Sequence, residues 1–468
     1  MIIIAYLGIF FFSLLSTVRL QIALSLGPHI YAILILSVFT LSIWREKSLN
    51  RLKLWSFPLI SGLLFIYTSI FGPYFQSFIL NKQVFYVRNI QYLIPVALAY
   101  SLLCYVSLNL GLFISRYFRK SYYRLEYLKF SKYSFGRWIF YAVFVIWIFS
   151  YIYYLGGPVA ILYSDTSRFA NQFALDYIQV NLILISRFAG IGSGFLSIAL
   201  FYKRNNLKLP VQSKIILIIS YLGNLLYFDR GKFIEIAVII FLSFILSSNF
   251  SIRKSLKLLI LPMILIFFLN INSSGRIYNK TGLLNIPSAV SYGIKNKMKN
   301  PYSLTMETGG PMPMTTQVIN LKFKGVKRPI SDLLYQINPI PSFLLPKTFK
   351  PNFFFENYFN TIGYSGVPVP LVPFSYDCFG SFGFFIFIFA GIFFGLIYNR
   401  IIASQKINKN LLFIVPSIIY PIAIAGFAYT MMHGEPRGAI RMMLYVSLFF
   451  WLIKFFNRKI IHKLRDNN

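Results

Sequence analysis

Carboxylates are the scarcest chemistry in this chain: 12 Asp and Glu stand against 46 Lys and Arg in 468 residues, a formal net charge of +34. Charged residues of both signs make up only 12%, against about 25% in an average globular chain. Cysteine is nearly absent. Cys104 and Cys378 are the two present, both in or beside apolar runs, with no CxxC or Cys/His cluster; this argues against redox chemistry and a structural zinc site. The patterns GxxxxGK[ST], HExxH and GxSxG are missing, as is a DxD that could hold a divalent metal on a nucleotide-sugar. No internal repeat is visible, which weighs against transporter folds built from related halves.

Apolar and aromatic residues fill the space. Hydrophobic residues are 57% of the chain, with 51 Phe and 33 Tyr. A soluble protein cannot bury that much apolar surface, so the lipid bilayer is the expected solvent. Disorder, coiled coil, collagen and disulfide-scaffold classes are excluded by the same composition. The excess of basic residues lies between apolar runs, so anionic lipid headgroups explain it in place of nucleic acid. The start, MIIIAYLGIFFFSLLSTV, lacks a basic leader and a cleavage site and reads as a retained first helix.

A spanning helix needs about 20 apolar residues. That rule predicts an all-α polytopic membrane protein of about 12 transmembrane helices, near 2–18, 22–44, 55–80, 89–115, 138–156, 178–202, 211–228, 233–250, 256–271, 378–399, 410–431 and 439–456. Basic residues cluster at every second connection: four in 45–53, seven in 116–137, four in 203–214, three in 253–257, three in 400–409 and five in 454–465. This is the positive-inside pattern and places both termini in the cytoplasm. The resulting organisation is nine helices in 1–271, a large outer loop over 272–377, and three helices with a cytoplasmic tail in 378–468. The loop holds 11 Lys and Arg, 4 acids, 12 of the 22 prolines, and 15 Phe and Tyr. So aromatic a loop is expected to be ordered, either as a structural cap or as a functional surface. Short interfacial helices are predicted at 330–336 and 351–359.

Ionisable residues at membrane depth mark candidate sites. Arg187 lies well inside the sixth predicted helix, where it either pairs with Asp229 or Glu235 or binds an anion. The Asp229-Arg230-Gly231-Lys232 turn follows an uncharged run too short to cross the bilayer; it reads as a cavity-lining turn or a plain hairpin tip. Near the end stands His433-Gly434-Glu435-Pro436-Arg437-Gly438-Ala439-Ile440-Arg441. Arg437 and Arg441 are spaced i,i+4 on one helical face and repel unless an anion or carboxylate lies between them. Guanidinium forks suit phosphate oxygens. Arg276, past the ninth helix, is of the same kind. His433 and Glu435 are placed to act as acid or base. Glu46, Glu126 and Asp466 are the acids assigned to the inner side, too few for cytoplasmic ATP or nucleotide-sugar chemistry.

A family resemblance rests on particular residues. Asn338-Pro339-Ile340-Pro341-Ser342-Phe343, then Gly363 and Gly366, then Tyr376-Asp377-Cys378-Phe379-Gly380-Ser381-Phe382-Gly383, then Gly391 and Gly395 resemble O-antigen and other oligosaccharide repeat-unit polymerases (Wzy-type). So does the Tyr227-Phe228-Asp229-Arg230-Gly231 turn. Many members carry Glu shortly before the Phe-Gly, where this chain has Asp377. The resemblance implies a bacterial inner-membrane enzyme of the lipid-linked-sugar glycosyltransferase (GT-C-like) architecture. Its reaction joins undecaprenyl-pyrophosphate-linked oligosaccharides on the periplasmic face, without metal, ATP or another cofactor. The partners implied are that lipid-linked oligosaccharide, membrane lipids, a chain-length regulator and a flippase. On this reading Arg230, Arg437 and Arg441 converge on the pyrophosphate, with Arg187 or Arg276 at the edge. The general base is expected to be Glu435, then Asp377, then His433. A lipid-linked oligosaccharide flippase and an O-antigen ligase are the alternatives.

Overall fold

The computed structural model describes residues 2–53, 56–70, 90–120, 311–323, 370–407 and 414–432, with a few isolated positions between them. The described residues are helical, and they contain no strand. Eight α-helices are bounded within them: α1 Ile2–Val18, α2 Leu20–Ser48, α3 Phe57–Ile66, α4 Ile94–Ile114, α5 Pro311–Phe323, α6 Leu371–Phe379, α7 Phe384–Ile407 and α8 Ile414–Met432. Three stretches are long and apolar enough to cross a membrane: Leu20–Ser48, Gln91–Ile114 and Leu371–Ile402. Ile2–Val18 and Phe57–Ile70 are shorter apolar helices. The spans predicted at 138–156, 178–202, 211–228, 233–250, 256–271 and 439–456 lie outside the described residues, as do the predicted loop helices at 330–336 and 351–359.

The chain divides into two compact units. One comprises Met1–Leu125, Met306–Lys406 and Gly426–Ile440; the other comprises Glu126–Thr305, Ile407–Ala425 and Arg441–Asn468. In the second unit the first part of α8 is described, with Tyr420, Ala423 and Ile424 fully buried.

The first unit is built around α4. Its sequence, IPVALAYSLLCYVSLNLGLFI, is apolar or small on every face, the pattern of a helix with neighbours all round. It is buried along nearly its whole length, and α1, α2, α3 and α5 pack against it. Phe65 stacks on Tyr105 at 4.7 Å, and Phe57 stacks on Phe394 at 4.4 Å. Helix α2 extends beyond the predicted 22–44 at both ends. It tolerates Pro28 because Gly27 leaves helical geometry at φ 73 and absorbs the break. Its far end is closed by Asn50 at φ 51, one of the few side chains that accept the left-handed region.

Helix α7 runs parallel to α4. Gly383, just before α7, lies against Tyr100, Gly391 lies against Leu108 and Gly111, and Gly395 lies against Ser115. Gly111-x-x-x-Ser115 therefore meets Gly391-x-x-x-Gly395, small residues facing small residues at one-turn spacing. In lipid this spacing lets two backbones approach closely, because no bulky side chain holds them apart. A Cβ on Gly111 would strike the Ile388 carbonyl oxygen and come within 3.0 Å of Gly391 Cα; one on Gly391 would strike the Leu108 carbonyl oxygen.

The spanning segment expected at 378–399 is entered differently from the sequence expectation. Helix α6 already begins at Leu371, within the stretch assigned to the outer loop, and a 3₁₀ turn over Gly380–Gly383 joins it to α7. Helix α5, which comes from that loop, packs on both α6 and α4.

Candidate functional site

Of the residues picked out from the sequence, Asp377 lies within the described part. Glu435, His433, Arg437, Arg441, Arg276, Arg230 and Arg187 lie outside it, so their convergence is not seen here.

Asp377 sits on the last turn of α6 at 1% exposure. Its Oδ1 is 3.5 Å from Lys322 Nζ, at the end of α5. The carboxylate thus ties a helix of the long loop to the entry of a membrane-length helix. Helix α5 is held along its length as well. Met312, Thr315, Thr316 and Ile319 are buried and fall on one face at i, i+3, i+4 and i+7. Thr316 Oγ1 donates to the Met312 carbonyl at 2.9 Å, which satisfies its hydroxyl without a second helix. Pro311 and Pro313 occupy the first turn, where a missing N–H costs nothing.

Around the turn between α6 and α7, the two motif glycines have separate physical reasons. Gly380 takes φ 59 and ψ −140, a conformation that side chains reach only with strain. Gly383 has no room for a Cβ, which would collide with the Ser375 carbonyl oxygen and the Tyr100 hydroxyl. Tyr100 and Ser375 are hydrogen-bonded through their hydroxyls at 2.8 Å. Ser375 Oγ also lies 2.7 Å from the Val372 carbonyl, which takes its proton, so Tyr100 is the donor to Ser375. The Tyr376 ring meets Tyr100 edge-on at 4.8 Å. The Tyr376–Gly383 stretch is thus a packed, hydrogen-bonded corner against α4.

A second polar cluster, at the other end of α4, joins residues that the sequence pattern assigned to separate basic connections. Glu46 is 1% exposed. Its Oε1 accepts from Arg116 Nη2 at 2.6 Å and from Arg45 Nη2 at 3.2 Å, and its Oε2 lies 3.7 Å from Arg51 Nε. The Tyr398 hydroxyl is 3.3 Å from Oε2 and 2.9 Å from the Arg51 carbonyl oxygen, and it donates to one of them at a time. Arg51 Nη2 donates to Asn399 Oδ1, whose Nδ2 donates to Ser115 Oγ at 3.2 Å. Arg45 lies over the Tyr6 ring at 5.8 Å and Arg51 over the Tyr398 ring at 5.2 Å. Below them, the Tyr6 hydroxyl donates to Ser42 Oγ at 2.8 Å, which donates to Asn109 Oδ1 at 2.7 Å.

Three guanidiniums share one carboxylate in this cluster. Burial, with repulsion from Arg45 and Arg51, pushes the proton affinity of Arg116 down to about 10, and Glu46 only partly offsets this. Arg45 is 4% exposed, and its Nε and Nη1 make no hydrogen bond among the described residues. A buried donor left unpaired costs on the order of 1–3 kcal/mol. Sequence reading saw these arginines as topology signals. What could have flagged the cluster is Glu46 itself, an acid directly beside Arg45 in a chain so poor in acids.

Among the described residues no group of three or more His, Cys, Asp or Glu could hold a metal ion. Compared with known protein families, curated proteins and solved structures, the chain matches none.

Proposed function

We propose that this chain is a bacterial inner-membrane polymerase of undecaprenyl-pyrophosphate-linked oligosaccharide repeat units, acting on the periplasmic face and built on a lipid-linked-sugar glycosyltransferase plan. The observation that favours it is the docking of α5, from the long loop, onto α4 and α6 through Lys322 and Asp377. A carrier that only moves lipid-linked sugar across the membrane does not need a loop folded onto its helix ends. An enzyme that must hold two lipid-linked substrates over the membrane does.

In the reaction, a hydroxyl oxygen of one repeat unit forms a bond to the anomeric carbon of the other. The bond from that carbon to the pyrophosphate oxygen breaks, and lipid pyrophosphate leaves with the electron pair. A base takes the hydroxyl proton, and arginines stabilise the charge on the leaving group. The pyrophosphate is already an activated leaving group, so the step needs no ATP. Glu435 remains the first candidate base and His433 another, with Arg230, Arg437 and Arg441 as the pyrophosphate cations and Arg276 or Arg187 at the rim. Asp377 fits a positioning role better, since its charge is already engaged by Lys322 and would have to be released before it could accept a proton.

The test is reconstitution of the purified protein with a lipid-linked repeat unit. A ladder of products with release of undecaprenyl pyrophosphate is expected. Transfer only onto lipid A core would identify a ligase, and movement across the bilayer without elongation a flippase; either outcome sinks the polymerase reading.

A further inference from the structure

We propose that the arginine cluster around Glu46 is a binding site for a phosphate-class anion, held by Arg45 together with Arg51 and Arg116. Nothing in it depends on the polymerase chemistry, and it lies at the end of α4 away from Asp377.

Three observations point to the ligand. First, charge: Arg45, Arg51 and Arg116 contact one carboxylate, both of whose oxygens are already engaged. Second, no other counter-charge stands beside them among the described residues. Glu46 and Asp377 are the only carboxylates among the described residues, and Asp377 pairs with Lys322. The further ionisable groups described on the segments that meet here, Lys47, Lys53 and Arg400, are exposed and positive. Third, donors: Arg45 is buried, yet its Nε and Nη1 bond to nothing described. Guanidinium N–H groups fixed in a plane suit the oxygens of a phosphate, whereas a lysine would offer only a point charge. Tyr6 under Arg45 and Tyr398 under Arg51 hold the two planes in place, so binding requires little ordering of the side chains.

A phosphate monoanion or dianion would neutralise the surplus and accept from Arg45 Nε and Nη1, which are buried and unpaired among the described residues. The same chemistry is offered by free phosphate and by the phosphodiester of an anionic lipid headgroup. The full-length protein in a phosphate-free maltoside detergent separates the two. One arm titrates inorganic phosphate and the other a short-chain phosphatidylglycerol, each against chloride at matched ionic strength, with thermal unfolding as the readout. A saturable rise in Tm with one of them is expected, and which arm shows it names the source. Arg45→Gln should weaken that titration at least about tenfold, the loss of one charge-assisted contact or more. Arg45→Lys should fall between, and Lys322→Gln, at the far end, should titrate as wild type. If Arg45→Gln does not fold, Arg116→Gln, nearer the rim, carries the same comparison. Absence of a saturable shift in the wild-type protein with either probe overturns the site. So does a folded Arg45 or Arg116 variant that titrates unchanged.

Discussion

A single carboxylate organises one end of the first unit. Glu46 engages Arg45, Arg51 and Arg116 and lies within reach of the Tyr398 hydroxyl, so its removal leaves three guanidiniums facing one another. Breaking a buried pair by deleting one partner costs about 3–5 kcal/mol. Glu46→Gln, which keeps the shape and removes the charge, is therefore expected to unfold at markedly lower temperature than the wild type in the same detergent. A melting curve that overlays the wild type would mean the arginines are screened by something other than Glu46. Changing the pH cannot substitute for that counter-charge. The folded state holds the Arg116 proton less tightly than the unfolded chain does, so the penalty is fully present below about pH 10. It is relieved only as pH climbs from there towards the ordinary arginine value, because the unfolded state then binds more protons than the folded one. Between pH 7 and 9 Arg116 stays charged, and its contribution to the pH dependence of stability is expected to be flat, checked by comparing wild-type and Arg116→Gln melting slopes over that range.

The contact between α4 and α7 depends on two glycines pressed backbone to backbone. Gly111→Ala and Gly391→Ala each put a methyl against a carbonyl oxygen that cannot rotate away, and overpacking of this kind costs about 1–3 kcal/mol. Gly395→Ala meets the Ser115 side chain instead, which has more freedom to shift, so it should cost less. The two severe changes act on the same approach, so once one has forced the helices apart the other has room. The Gly111→Ala/Gly391→Ala double variant is expected to lose less stability than the sum of the singles, read from melting or detergent resistance; strict additivity would mean the helices do not part as units. Gly391 and Gly395 were legible in the sequence as part of a family-like motif, whereas their partner Gly111 was not, and the geometry supplies the reason for all three. Helix α5 was not legible in that way. Its PMPMTTQVINLKF run looks like loop because of two prolines and low hydropathy, yet prolines in a first turn do not oppose a helix. The buried stripe Met312, Thr315, Ile319 was there to be read at helical spacing. The α2 break was hidden for the opposite reason: long apolar runs read as one helix, and a Gly-Pro pair inside one redirects the chain without changing its hydropathy. The Asp377–Lys322 pair was not legible either, since no spacing in the sequence links the two residues.

Across the first unit, one end gathers what the sequence distributes. The far ends of α2 and α4 and the Tyr398-Asn399 turn of α7 meet around Glu46, and the basic segments 45–53, 116–137 and 400–409 begin there. The opposite end holds the Tyr100–Ser375 corner and the α5 docking site; Tyr100 lies about 24 Å from Arg116 at 1.5 Å per residue along α4. Alternating connections on a polytopic chain must produce this segregation, but the fold alone does not say which end faces the cytoplasm. The surplus of Lys and Arg, four, seven and three in those segments, predicts that the Glu46 end faces the cytoplasm. Cysteine labelling tests this directly. With Cys378 replaced by Ser and Cys104 buried, a new thiol at Lys53, exposed next to the cluster, is compared with one at Phe323, 53% exposed at the end of α5. A membrane-impermeant maleimide applied to spheroplasts is expected to label Phe323→Cys at once and Lys53→Cys only after lysis. The reverse order would turn the chain over. It would move the folded loop to the cytoplasmic side, against the periplasmic activity proposed above, and leave the basic cluster facing out, so one labelling experiment bears on both ends of the first unit.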